Sequence, residues 1–174
     1  LLLCRISGCS IFHAFWRGAA EDDGFNRLVI SAGLHWSEVH VLRAVARYLR
    51  QVGVAFGPVY VANALNEHPQ IARHLIQLFH ARLSPEAVHA DREAAQASII
   101  DDIEDSLAGV PNLEQDKVFR NFRAVLRAML RTNFYRLYAP HAASLEEDAY
   151  PDPAAEPPVA LAFKLDPRQL AFVP

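Results

Sequence analysis

Trp16-Arg-Gly-Ala-Ala-Glu-Asp-Asp-Gly-Phe-Asn-Arg-Leu-Val-Ile-Ser-Ala-Gly-Leu-His-Trp36, resumed six residues later as Arg43-Ala-Val-Ala-Arg-Tyr-Leu-Arg-Gln51, is the stretch that decides the fold. It predicts two helices around a tight turn. Asp22 or Asp23 caps the first and places negative charge at its positive end, and Gly33 stands where a left-handed residue would stop it. The second helix starts near Ser37. Val39, Leu42, Val45, Leu49 and Val52 recur on one of its faces and Gly53 follows as the stop, so that face is committed to a core.

Working outward, residues 1–11 are apolar without a clear pattern, and apolar recurrence begins at Phe12 to Trp16 before Gly18 interrupts it. Downstream, Phe56-Gly57-Pro58 breaks the chain and opens a short helix to about Glu67, with Pro58 in the tolerated first turn. His68-Pro69 repeats the device. The helix from Pro69 to Leu83 puts Ile71, Leu75, Leu78 and Phe79 on one face. Ser84-Pro85-Glu86 reads as the next helix start, and Val88, Ala95, Ile99, Ile103 and Leu107 track a stripe nearly to Gly109.

After Val110-Pro111, Asn112 with Gln115 three residues on is a capping-box pattern. Val118, Phe122, Val125 and Met129 then give an apolar face through about Phe134. So short a turn between two long helices implies antiparallel neighbours. Arg120, Arg123, Arg127 and Arg131 lie at steps of three and four on the opposite face, while the preceding helix ends in Asp101, Asp102, Glu104 and Asp105. Ion pairs across this hairpin are expected, each worth about 0.2–1 kcal/mol if exposed. From Tyr138 to Pro158 the composition shifts to Pro, Ala, Glu and Asp, the texture of a linker. Val159 to Leu165 alternates like a strand and Asp166-Pro167 ends it. Alone it would be an unpaired edge, frayed or resting on the helices.

These residues resemble a family. Glu21-Asp22-Asp23-Gly24-Phe25-Asn26-Arg27-Leu28-Val29, Ala32-Gly33-Leu34-His35-Trp36, Leu42-Arg43-Ala44 and Tyr48-Leu49-Arg50-Gln51 occur in order and at the spacing found in the large bacterial NAD-specific glutamate dehydrogenases, in the helical region just before the catalytic domain. His68-Pro69, Leu78-Phe79 with Arg82, Leu130-Arg131-Thr132-Asn133 and Phe163-Lys164-Leu165-Asp166 extend the resemblance, the last being similar to the opening of the catalytic domain. The resemblance covers roughly residues 12 to 170.

The resulting expectation is a mostly α multi-helix bundle of about six helices, with a long antiparallel hairpin and one trailing C-terminal β-strand. Its plan is a poorly matched segment 1–11, a helical domain 12–137, a Pro/acidic linker 138–158, and a strand region 159–174 resembling the start of the catalytic domain. The resemblance implies a parent enzyme that converts L-glutamate, NAD and water to 2-oxoglutarate, ammonia and NADH. It implies NAD bound outside this chain, partner regulatory and catalytic domains in the same polypeptide and a homo-oligomeric parent, while Cys4 and Cys9, read as reduced thiols, point to a cytoplasmic location. This chain would then be a fragment, inactive alone and acting as scaffold.

Chemistry sought directly in the chain points the same way. None of the seven glycines forms even the Gly-x-Gly that a dinucleotide loop begins with, and Lys117 and Lys164 are the two lysines. No catalytic, cofactor-binding or metal-ligating residue is assigned. The eight histidines include no His-x-x-x-His pair, and His35 with Glu38 is an isolated couple where closed zinc sites need four ligands. Ser84, Ser98 and Ser106 have no positioned base and read as caps or exposed residues. Cys4 and Cys9 match no zinc or redox spacing and read as reduced thiols.

A formal net charge of -3 argues against broad phosphate neutralisation, and no apolar run approaches the roughly 20 residues of a membrane span. No nucleic-acid or membrane partner is expected. Arg43, Arg47 and Arg50 form a second basic stripe, read as a solvated face, and Trp16 and Trp36 read as core anchors. Asn26, Arg27, Arg131 and Asn133 are the candidate contacts to the catalytic domain. Two other readings stand beside the scaffold: a stand-alone helical interaction or regulatory module, and a helix-turn-helix nucleic-acid binder using the second basic stripe.

Overall fold

The computed structural model describes residues 23–86, 89–142 and 160–172. Expectations for residues 1–22, Trp16 and both cysteines among them, for Val88, for 143–158 of the linker and for Val159 at the start of the strand lie outside the described residues.

Asp23 is the cap: its backbone is extended and its carboxylate accepts the Phe25 N–H at 3.0 Å. A 3-10 turn over Gly24–Arg27 runs into α1, Leu28–Ser31. Gly33, at φ +65°, then reverses the chain in a conformation costly for other residues, so the first expected helix is shorter than the sequence reading. Helix α2, Trp36–Gln51, buries Val39, Leu42, Val45 and Leu49 as expected and stops at Gly53, φ +87°. Its cap is His35, not the Ser37 region. The His35 ring accepts the Ser37 N–H and the Glu38 carboxylate accepts the His35 N–H at 2.7 Å. The couple considered as metal ligands is therefore a capping box.

Helices α3, Pro58–Glu67, and α4, Pro69–Leu83, both carry proline in the first turn. Helix α4 is the hub, touching α1, α2, α3 and the helices that follow. It buries Ile71, Leu75, Leu78 and Phe79, and each such side chain contributes about 1.5–3 kcal/mol when fully removed from water. Helix α5, His89–Ala108, lies most extensively against α4, burying Ile103 and Leu107 and half-burying Ile99. Helix α6, Leu113–Ala128, is capped by Asn112, which accepts the Glu114 and Gln115 N–H groups. The Gln115 side chain does not complete a capping box. It is buried against His68 and Glu67, tying α6 to the α3–α4 corner.

The helix expected to continue to about Phe134 ends at Ala128. Met129–Thr132 is a strand, β1, and a new helix α7, Phe134–Ala142, runs past Tyr138, where the sequence suggested a linker. Two partners from elsewhere in the chain draw the backbone out of the helix. Arg82 Nε donates to the Met129 carbonyl at 2.8 Å, and β2, Phe163–Leu165, pairs antiparallel with β1. The trailing strand is thus paired on one side instead of resting alone on helices. A 3-10 turn at Pro167–Gln169 follows, and Leu170 closes over the core at 3 % exposure.

Candidate interdomain surface

At the β1–β2 end, Met129 faces Leu165, Arg131 faces Lys164 and Thr132 faces Phe163, with an irregularity between Met129 and Arg131. Strict alternation would place Met129 and Arg131 on one face, yet Met129 is buried and Arg131 exposed. The extra residue, Leu130, resets the alternation. Past β1 the ladder is continued by a side chain. Asn133 Nδ2 donates to the Ala160 carbonyl at 2.9 Å and Oδ1 accepts the Ala162 N–H at 2.8 Å, while the Asn133 backbone N–H reaches the Ala162 carbonyl at 3.4 Å. At the other end the Asp166 N–H donates to the Ala128 carbonyl at 2.9 Å. Strand β2 is fastened at both ends.

Beneath this ribbon a polar chain joins α2, α4 and α7. His80 Nε2 lies 2.9 Å from Glu38 Oε1, and His80 Nδ1 lies 2.8 Å from the Tyr135 hydroxyl. A carboxylate only accepts, so Nε2 donates to Glu38, and Nδ1 is left to share the hydrogen bond with the Tyr135 hydroxyl. Burial pushes the Glu38 carboxyl up, but the bonds from His80 and the His35 backbone outweigh it and leave it below its ordinary value. Burial also holds the Tyr135 phenol well above its ordinary value. The order resembles a proton relay, but Glu38 is spent on the helix cap and Tyr135 is a poor acid, so the trio fastens helices. Phe79 stacks on Tyr135 with ring centroids 6.1 Å apart and meets Phe134 edge-on, Phe134 lies tilted against Tyr138, and the Trp36 ring meets Tyr138 edge-on at 5.4 Å.

A second polar knot holds the chain's entry. Arg43, read in the sequence as part of a solvated stripe, is buried. Its Nε and Nη2 donate to Asp23 at 2.6 and 2.8 Å, and Nη2 also reaches Asn26 Oδ1 at 3.0 Å. The Phe25 ring lies 5.8 Å from the guanidinium carbon. A cleft of about 270 Å³ beside the knot is lined by Arg43, Arg47, Arg50, Phe25 and Phe56.

The four residues singled out as interdomain contacts fall into two pairs. Asn26 sits in the Arg43 knot with Arg27 exposed beside it, and Asn133 clamps β2 with Arg131 exposed on β1. The arginine stripe of α6 is only partly matched. Glu104 pairs with Arg120 at 3.0 Å and with Arg123, and Arg120 also pairs with Asp116 at 2.8 Å. Among the described residues no ion pair reaches Arg127 or Arg131, and Asp101, Asp102 and Asp105 take no part in the expected pairing. Sequence reasoning missed His80 and Tyr135, whose partners lie far along the chain and leave no local signal, and it named Lys164 without its place opposite Arg131.

Among the described residues, no group of three or more His, Cys, Asp or Glu side chains is placed to hold a metal ion, and no helix is long and apolar enough to cross a membrane. Residues 20–85 match the family model described as glutamate dehydrogenase, helical motif 3. Over 94 % of its length the chain is 38 % identical to an NAD-specific glutamate dehydrogenase of Halomonas elongata. Over 70 % and 90 % it is 40 % and 36 % identical to proteins of the same name from Mycobacterium tuberculosis and Pseudomonas aeruginosa. The chain spans 8 to 9 % of the length of these curated relatives.

Proposed function

We propose, from the premise that this chain is a relative of one segment of the NAD-specific glutamate dehydrogenases, that it is the non-catalytic helical scaffold of such an enzyme. The enzyme oxidises L-glutamate with NAD and water to 2-oxoglutarate, ammonia and NADH, and its cofactor and reacting groups lie outside residues 1–174. In this reading the helical unit begins near residue 12 and is carried by α7 past the expected boundary at 137 to Ala142, the rest of 138–158 is the linker, and 159–174 is the entry to the catalytic domain. Asn26, Arg27, Arg131 and Asn133 line the two places where the unit meets the rest of the polypeptide, which assembles as a cytoplasmic homo-oligomer.

One observation carries the reading. The strand that resembles the opening of a catalytic domain is stitched to the helical unit at both ends, through Asn133 and through Ala128. A scaffold that must fix a neighbouring domain needs such a rigid joint at the crossing point. The polar groups of the helical unit support it as well, since Glu38, His80, Asp23 and Arg43 are engaged with one another and with backbone.

The test is an assay of glutamate-dependent NAD reduction on two samples, the natural full-length polypeptide and purified 1–174. Activity in the first and none in the second is expected. Turnover by 1–174 alone would overturn the placement of the active site, and an inactive full-length polypeptide would overturn the enzyme assignment.

A further inference from the structure

We propose that Arg127, Leu130, Arg131 and Lys164 form a docking strip for a carboxylate-lined surface of another domain of the same polypeptide. The proposal rests on the scaffold reading and adds the chemistry of the surface it meets.

Arg131 and Lys164 are direct partners in the β1–β2 register, and both are exposed. Like charges directly opposite on a ribbon destabilise it, and a neutral or acidic residue at either position would relieve this. Arg127, exposed in the last turn of α6, adds a third cation. Its charge is felt inward: burial first, and then Arg127, hold the Arg82 and Arg123 guanidiniums below their ordinary values.

Neutralisation along α6 stops partway. Arg120 and Arg123 have Glu104 and Asp116, whereas among the described residues no carboxylate pairs with Arg127, Arg131 or Lys164. The bulge at Leu130 is what brings Arg131 to the exposed side, and Leu130 itself remains 46 % exposed among the cations. An apolar side chain flanked by arginines and a lysine on an open ribbon fits a protein surface better than a free phosphate, which calls for converging N–H donors in a concave site. Tethering favours a domain of the same chain. A surface held beside β2 through a short connection has an effective concentration on the order of millimolar, so weak charge pairs suffice to seat it.

The test is zero-length carbodiimide coupling of the natural full-length polypeptide, which joins an amine to a carboxylate only where the two touch. Lys117 and Lys164 are the two lysines of residues 1–174, and Lys117, just past the acidic first turn of α6, is the internal reference. The expected result is Lys164 joined to Asp or Glu beyond residue 174, within one chain in a sample of mixed isotope-labelled and unlabelled protein. These links should fall several-fold in R127E/R131E, and also in the milder R127Q/R131Q should charge reversal prevent folding, with Lys117 links unchanged. Lys164 linked only within 1–174, only to a second copy, or to nothing would overturn the strip. Loss of glutamate-dependent NAD reduction from the unmodified polypeptide would instead sink the scaffold reading, and the Lys164 links would still decide the strip.

Discussion

Replacing Asn133 by Ala isolates the joint at β2. The substitution removes the bond to the Ala160 carbonyl at 2.9 Å and the bond from the Ala162 N–H at 2.8 Å, but spares the backbone bond from Asn133 N–H. Each contributes about 0.5–1.5 kcal/mol net, and water can replace exposed bonds of this kind, so about 1–2 kcal/mol is expected for the two together. A loss of that size raises the opening equilibrium of the strand about 5- to 30-fold. Native-state hydrogen exchange reads it directly: protection at the Ala162 and Asp166 amides should fall by that factor, while Phe122 in the core of α6 changes by less than about twofold. Asn133→Asp keeps the acceptor for Ala162 and should cost less protection there than Ala. Unchanged protection at Ala162 and Asp166 in Asn133→Ala would refute the joint.

Other perturbations probe the rest of the unit. Arg43→Met strips a buried guanidinium from Asp23 and Asn26; because Asp23 is a third exposed and can rehydrate, the loss should be about 2–3 kcal/mol in urea unfolding, below the full cost of breaking a buried pair, and a change under about 0.5 kcal/mol would contradict it. The Glu38 carboxyl lies below its ordinary 4.5 when folded, so its contribution is complete above that pH and is lost as pH falls through the folded value. His80→Ala removes one of the bonds holding it down and moves the folded value back toward the unfolded one, so melting across the acid range should show a smaller acid-side loss, complete at higher pH, than in the unaltered chain; an identical acid limb would exclude the pairing. Gly33→Ala meets no atom within 4 Å but must hold φ +65°, so the strain alone should cost about 1–2 kcal/mol, read as a lowered Tm.

The helices were legible where the signal was local. Gly33, Gly53, Pro58 and Pro69 mark ends and starts through their own backbone constraints, and the Val39 to Leu49 stripe fixed the buried face of α2. What escaped depends on residues distant in sequence. Ala128-Met129-Leu130-Arg131 is a good helical sequence by intrinsic preference, and only the Arg82 bond and pairing with β2 make part of it a strand. Arg43 looked like one cation of a solvated stripe because nothing in its own helix announces that Asp23 and Asn26 fold over it. His35 was read with Glu38 as a possible ligand couple, since a histidine that caps a helix and a histidine that binds a metal look alike until the Ser37 N–H is placed. Of the candidate contacts, Asn133 was singled out through resemblance alone. The clamp it makes on Ala160 and Ala162 has no counterpart in periodicity or composition.

The most direct test is a native gel of the source cell's extract, stained for NAD reduction with glutamate and probed with an antibody to residues 23–142. The account predicts one band that carries both signals, in a polypeptide about an order of magnitude heavier than the 19.4 kDa of residues 1–174, as the length of the relatives implies. An antibody band at 19.4 kDa, separate from the glutamate-dependent activity, would contradict it and leave a stand-alone helical protein.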